Sequence, residues 1–249
     1  MEEQFLNLQK KFNHISKKGY IKGIYNTSSS IGRTFENELG LEMNKESIPD
    51  YQNIEIKTRR GYTKSTLTLF NAVPNGQNEG ELKRIKDTYG YPYKKDKNYK
   101  VLFAEVFSNK LNFGGAKYQY KLDIDKNMQK VFLCIYNKKG ILLERKIFWT
   151  FNYLQEKLLN KIKYLAIIKA WPKKIDGWNY FKYYKINFYV LKNFDKFIEC
   201  LENGKIKLII KINIHLDEKH YGQMYDHGCG FDISEEDISK LFYNYKIIK

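Results

Sequence analysis

Cysteine is scarce in this chain of 249 residues, and the three present, Cys134, Cys200 and Cys229, stand far apart. An odd, dispersed set builds neither a disulfide frame nor a zinc site, and it predicts reduced thiols in a cytoplasm. Cys134 lies in the apolar run 131–136 and reads as core. No hydrophobic stretch is long enough to span a bilayer, and Met1-Glu2-Glu3-Gln4 opens acidic and polar where an export or transit signal would open basic and then apolar. No membrane span, export or transit is therefore expected. Internal repeats and low-complexity linkers are also missing, so a single domain over 1–249 is predicted. Acidic residues run short as well: 28 face 44 basic ones, for a net charge of +16. That excess favours a polyanionic partner, either nucleic acid or an acidic membrane surface.

Apolar residues are plentiful, at 43% with 21 tyrosines and 16 phenylalanines, enough for a packed core. Apolar spacings of three and four predict helices over 4–18, 28–39, 152–163 and 194–203, and a short one over 235–242. Strands are predicted over 53–58, 64–71, 101–108, 118–125, 130–136, 142–151, 164–171, 180–191, 207–214 and 230–233. The strand over 64–71 is expected to pair with the one over 53–58, and residues 72–98 read as turns. In 178–189, lysines interleave with aromatics; a strand with its aromatics packed inside is favoured over a base-stacking surface. The fold class is mixed α/β.

One short run concentrates the chemistry. In Pro49-Asp50-Tyr51-Gln52-Asn53-Ile54-Glu55-Ile56-Lys57, Glu55 and Lys57 are two apart on a strand and point to one side. Pro49 and the polar residues after it bend the chain, which lets Asp50 fold back towards the same point. Two carboxylates and an ammonium can then surround a hydrated Mg²⁺ and a scissile phosphate, because Mg²⁺ takes one or two carboxylates plus substrate oxygens. Lys57 would orient water or offset charge on phosphorus. Upstream, Ser28 to Gly40 reads as a serine-capped helix ending at a glycine, with Ile31, Phe35 and Leu39 as its stripe and Glu36 at the stripe's edge. Glu36 is either a solvated helix carboxylate or an additional member of the metal shell. An acid, a gap and Glu-Ile-Lys also arise by chance in a chain this rich in Lys and Glu, so spacing alone leaves both readings open.

The series Gly32-Arg33-Thr34-Phe35-Glu36, Pro49-Asp50, Ile54-Glu55-Ile56-Lys57-Thr58 and Ser65-Thr66-Leu67-Thr68-Leu69-Phe70 resembles the core of the MvaI/BcnI restriction endonucleases, relatives of the nicking enzyme MutH within the PD-(D/E)xK nuclease superfamily. Tyr225-Asp226-His227-Gly228-Cys229-Gly230-Phe231 resembles a DNA-facing segment of the same family. Residues 161–166 and 201–206 fall in the matching order. The resemblance implies a restriction-endonuclease-like core sheet flanked by helices, with a recognition lobe forming a cleft. The catalytic part is expected in about 1–110 and the recognition part mainly in 111–249. It further implies an Mg²⁺-dependent type II endonuclease that cuts double-stranded DNA at a short CCNGG-like site. Asp50 and Glu55 would hold the metal, with Lys57 and Glu36 completing the catalytic set. A monomer and a cognate DNA methyltransferase in the same system are implied too.

For recognition, donors and acceptors on the loop His215 to Gln223 suit base edges in the major groove, with Lys219 and His220 as contacts. Two histidines and an aspartate in that loop lack a zinc spacing. His227 is the expected base-reading residue, with Asp226 orienting it. Asp232 stands where the family resemblance calls for a basic base-reading side chain, a departure that bears on the recognition sequence. Two other functions compete: a MutH-like nickase of mismatch repair, and a DNA-binding protein with an inert nuclease core. Intact Asp50, Glu55 and Lys57 weigh against the last.

Overall fold

In a computed structural model of the chain, the described residues are 1–41, 48–61, 66–75, 79–115 and 117–247; for Glu79, Asp226, His227 and Gly228 only the backbone is described. The elements run α1 (Glu2–Lys17), β1 (Ile21–Lys22), α2 (Ser30–Glu38), β2 (Ile54–Arg60), β3 (Leu67–Asn71), α3 (Glu79–Tyr89), β4 (Tyr91–Pro92) and β5 (Lys100–Val106). They continue with β6 (Asn112–Phe113), β7 (Tyr118–Asp125), β8 (Lys130–Asn137), β9 (Leu142–Thr150), α4 (Phe151–Ile162), β10 (Tyr164–Ile175) and β11 (Trp178–Leu191). Last come α5 (Phe194–Glu202), β12 (Ile206–Ile214), β13 (Met224–Ile233), α6 (Ile238–Leu241) and β14 (Phe242–Tyr245). Among the described residues, no helix is long and apolar enough to cross a membrane.

The chain forms two compact units. Unit 1 takes 1–65, 159–192 and 238–249, and unit 2 takes 66–158 and 193–237. Residues 66–110 of the expected catalytic part thus belong to unit 2, while 159–192 and 238–249 join unit 1.

Unit 1 is built on a sheet in the order β1-β11-β10-β2, with β14 also on β11. β2 lies at the edge and runs parallel to β10, with Ile54 beside Tyr164, Glu55 beside Leu165 and Lys57 beside Ile167. Alternation along β2 turns Ile54 and Ile56 into a core with Phe5, Phe12 and Phe35 from the helices and Tyr183 and Phe188 from β11. Glu55 and Lys57 therefore face the opposite side of the sheet. α1 buries Phe5, Leu8, Phe12 and Ile15, its stripe of three and four. α2 ends as expected at Gly40, whose φ of +75° suits glycine. There the amide of Leu41 donates to the Glu36 carbonyl at 3.0 Å and that of Gly40 to Asn37 at 2.9 Å, a Schellman ending. The serine cap does not form: Ser29 occupies the cap position without a side-chain bond to the helix.

Unit 2 contains two antiparallel sheets, β3-β13-β12-β5-β4 and β6-β7-β8-β9. Trp149, Phe197, Leu208 and Phe231 are fully buried within it. Two expectations are corrected here. Among the described residues β3 pairs with β13 and β2 with β10, so the anticipated β2–β3 pair is absent; residues 64 and 65 of the predicted strand lie outside the described ones. The turn-rich reading of 72–98 overlooked α3, whose Leu82, Ile85 and Tyr89 are buried at spacings of three and four. The expected aromatic interior of β11 is realised, with Phe181 and Tyr183 fully buried.

Candidate active site

Four residues bring Asp50 back to β2. Residues 51–54 form a tight hairpin turn in which the Tyr51 amide donates to the Ile54 carbonyl at 3.0 Å and the Ile54 amide to Tyr51 at 2.7 Å. Both central residues take left-handed conformations, with φ of 44° at Gln52 and 69° at Asn53, the signature of a type I′ turn. The reversal places Asp50 against the outer edge of β2, where its Oδ2 accepts from the Ile56 amide at 2.8 Å. An edge strand leaves such an amide without a sheet partner, and the carboxylate takes the place of the missing strand.

Glu55 is the centre of the cluster. It is 1% exposed, and an ammonium approaches each of its oxygens: Lys57 Nζ lies 2.6 Å from Oε1 and Lys161 Nζ 2.8 Å from Oε2. The second approach is a contact of charges without hydrogen-bond alignment. Burial pushes the Glu55 carboxyl above the ordinary glutamate range; Lys57 pulls it down, and the neighbouring Asp50 charge pushes it up again. Two carboxylates that repel each other, one of them buried, are what a divalent cation relieves, and an all-oxygen donor set suits a hard ion. Asp50 and Glu55 therefore fit a metal of the Mg²⁺ class.

Lys161 is the member of the cluster to which the sequence assigned no role. It stands in the last turn of α4, just before β10, and its ammonium also donates to the Ile48 carbonyl at 2.6 Å. The segment 161–166 resembles the family in order only, and nothing in it points to Glu55, because the place of Lys161 depends on the β2–β10 pairing across more than a hundred residues of chain.

Glu36 sits on α2 in an ion pair with Arg33 of the same helix, and no ion pair or hydrogen bond joins it to Asp50, Glu55 or Lys57 among the described residues. In unit 2, the loop 215–223 gathers Asp217 with its two histidines. Asp217 lies 3.0 Å from His215 Nδ1 and 2.9 Å from His220 Nδ1, and the three ligand atoms fall within 4.8 Å of one another. His220 first and His215 second hold the Asp217 carboxyl below its usual range. Lys219 is exposed on the same loop. Asp232 is buried on β13 and accepts from the Thr66 hydroxyl at 2.8 Å. The backbones of Asp226 and His227 continue β13, and their side chains lie outside the described ones.

An edge strand bearing Glu-x-Lys, with an aspartate folded onto it, is an arrangement that fits a restriction-endonuclease-like deoxyribonuclease. The model of the MvaI/BcnI restriction endonuclease family matches residues 9–242. The chain belongs to that family and is a type II site-specific deoxyribonuclease. A solved complex of restriction endonuclease MvaI with its cognate DNA substrate is similar over 100% of both chains, at 29% identity and a TM-score of 0.91. MvaI in the absence of DNA is similar over 100% of this chain and 99% of that one, at 30% identity and a TM-score of 0.64. Among curated proteins, no sequence matches.

Proposed function

We propose that the chain hydrolyses phosphodiester bonds of double-stranded DNA in an Mg²⁺-dependent reaction, at a short site of the CCNGG kind. The observation that carries the reading is Asp50 folded onto β2 at the Ile56 amide, close enough for its charge to act on Glu55, with Lys57 on a Glu55 oxygen. Bound there, Mg²⁺ supplies Lewis acidity and a more acidic water. Asp50 and Glu55 hold it, and Lys57 orients the attacking water and offsets charge gathering on the phosphate. Glu36 acts from further out, consistent with its pairing to Arg33. Recognition draws on unit 2, with His227 reading a base edge, Asp226 orienting it, and Lys219 and His220 contributing to the DNA surface; Asp232, expected there too, is buried against Thr66 and supports β13 from within. The protein works as a monomer in the cytoplasm, in a system where a methyltransferase protects the host's own sites.

The test is plasmid cleavage in Mg²⁺ followed by sequencing of the cut ends. Asp50→Ala and Glu55→Ala are expected to lose cleavage by several orders of magnitude while keeping the fold and most DNA affinity, since phosphate contacts elsewhere carry binding. Near-parental cutting by either variant removes the assignment. Accumulation of nicked circles with no linear product would point to the nickase instead.

A further inference from the structure

We propose that Lys161 is a positioning residue of this centre: it holds the outer oxygen of Glu55 and ties it to the segment carrying Asp50, so that the two carboxylates meet a divalent cation at a preset separation. The inference rests on the metal-dependent nuclease reading above and assigns a task that Asp50, Glu55 and Lys57 cannot perform for themselves.

The geometry separates the two lysines. Lys57 comes from the same strand as Glu55 and approaches Oε1 at 2.6 Å, whereas Lys161 comes from α4 and approaches Oε2 at 2.8 Å. A carboxylate with an ammonium on each oxygen keeps lone pairs for a cation, but the two positive charges repel it, and its approach is eased when one ammonium yields. The Lys161 side chain is 18% exposed and that of Lys57 is 29% exposed. Lys161 has a second anchor, the Ile48 carbonyl at 2.6 Å, two residues before Asp50. Lys57 is thus the ammonium that moves, and Lys161 the one that stays. Oε1 becomes the metal-facing oxygen and Oε2 remains pinned.

The same side chain spans the turn. On one side of residues 51–54 it grips Ile48, and on the other it grips Glu55; Asp50, lying between, is fixed to the Ile56 amide. The two ligands come from opposite arms of a hairpin whose hinge is a two-residue turn. One ammonium hydrogen-bonded to one arm and ion-paired with the other limits how far those arms open. Metal ligands held by such outer partners lose about 10–100-fold in metal affinity or activity when the partner is removed.

The experiment measures Mn²⁺ binding to the full chain by electron paramagnetic resonance, alongside Mg²⁺ titrations of plasmid cleavage at fixed salt. Lys161→Met should weaken Mn²⁺ binding and raise the Mg²⁺ concentration at half-maximal rate, each by about 10–100-fold. The rate at saturating Mg²⁺ should largely recover, because the residue positions ligands and does not touch the phosphate. Lys161→Arg, which keeps the charge, should regain most of the metal affinity. Where Lys161→Met does not fold, Lys161→Gln, which keeps one donor, is measured in its place. Unchanged Mn²⁺ affinity and Mg²⁺ midpoint in a folded Lys161 variant would overturn the proposal, as would a lost rate that Mg²⁺ does not restore. Failure of the nuclease reading looks different: the parent chain then neither cuts DNA nor binds Mn²⁺ in an Asp50-dependent way, and the strap falls with it.

Discussion

The surroundings of Glu55 work against its charge. Its carboxyl sits above the ordinary glutamate value of 4.5 because burial and Asp50 together outweigh Lys57 and Lys161. Between that value and the folded one, the folded chain retains a proton that the unfolded chain releases, so stability falls as pH rises through the interval and stays lower at neutral pH. Glu55→Gln should therefore melt at a higher temperature than the parent at pH 7, with the gain vanishing below pH 4.5, while cleavage is lost. Calorimetry at the two pH values decides it; a parent more stable at pH 7 would mean that lysine pairing outweighs burial. Stability given up at a working site is a common trade in enzymes. This residue was legible in the sequence because a strand puts positions two apart on one face, a rule that needs no partner. Asp50 was legible through the turn residues beside it. Lys161 was not, since its nearness to Glu55 is a property of a distant pairing and leaves no local mark.

At the scale of elements, the hairpin at 51–54 and α3 make the same point from opposite directions. The bend was expected from Pro49 and the polar run, and it closes as a turn with two left-handed residues that are not glycine. Left-handed backbone costs an ordinary residue about 1–2 kcal/mol, and asparagine tolerates it better than glutamine. Gln52 is exposed, so Gln52→Gly relieves strain without losing packing, offset in part by glycine's greater freedom when unfolded. A net gain of about 0.5–1 kcal/mol is expected from denaturant unfolding, with cleavage unchanged; a loss would show that the glutamine side chain supports the turn. α3 carried a helical spacing in Leu82, Ile85 and Tyr89, but Pro74-Asn75-Gly76, Gly80 and Gly90 around it argued for turns and prevailed. Tertiary partners decide the case: the Arg84 guanidinium donates to Glu144 of β9 at 3.1 Å and the Tyr89 hydroxyl at 2.7 Å. The pairing of β3 failed for a related reason, because sequence neighbours are the default expectation for strands and here the parallel β2–β10 pair overrides it.

For the whole molecule, a net charge of +16 predicts binding dominated by phosphates, and therefore by salt. If about 6–10 phosphates are neutralised, affinity should fall roughly 10³–10⁵-fold between 50 and 200 mM salt. His227→Ala separates this from recognition. It should cost about 1–3 kcal/mol of discrimination at a single base pair, read from cleavage of oligonucleotides altered one position at a time. The slope of affinity against salt should not change. A uniform loss on every substrate, with a shallower slope, would make His227 a phosphate contact. Each unit is assembled from separated stretches of chain, and this gives the parallel pairing of β2 with β10 a consequence in time. β2 is complete at Arg60, and β10 begins only at Tyr164. A ribosome adding roughly 5–20 residues per second leaves β2 waiting roughly 5–20 s for its neighbour. Until then Asp50, Glu55 and Lys57 have been made but have no sheet to hold them, and any product abandoned in that interval is a nuclease in sequence only. Cutting activity that depends on this sheet is therefore expected late in each round of synthesis, after β10 has been made.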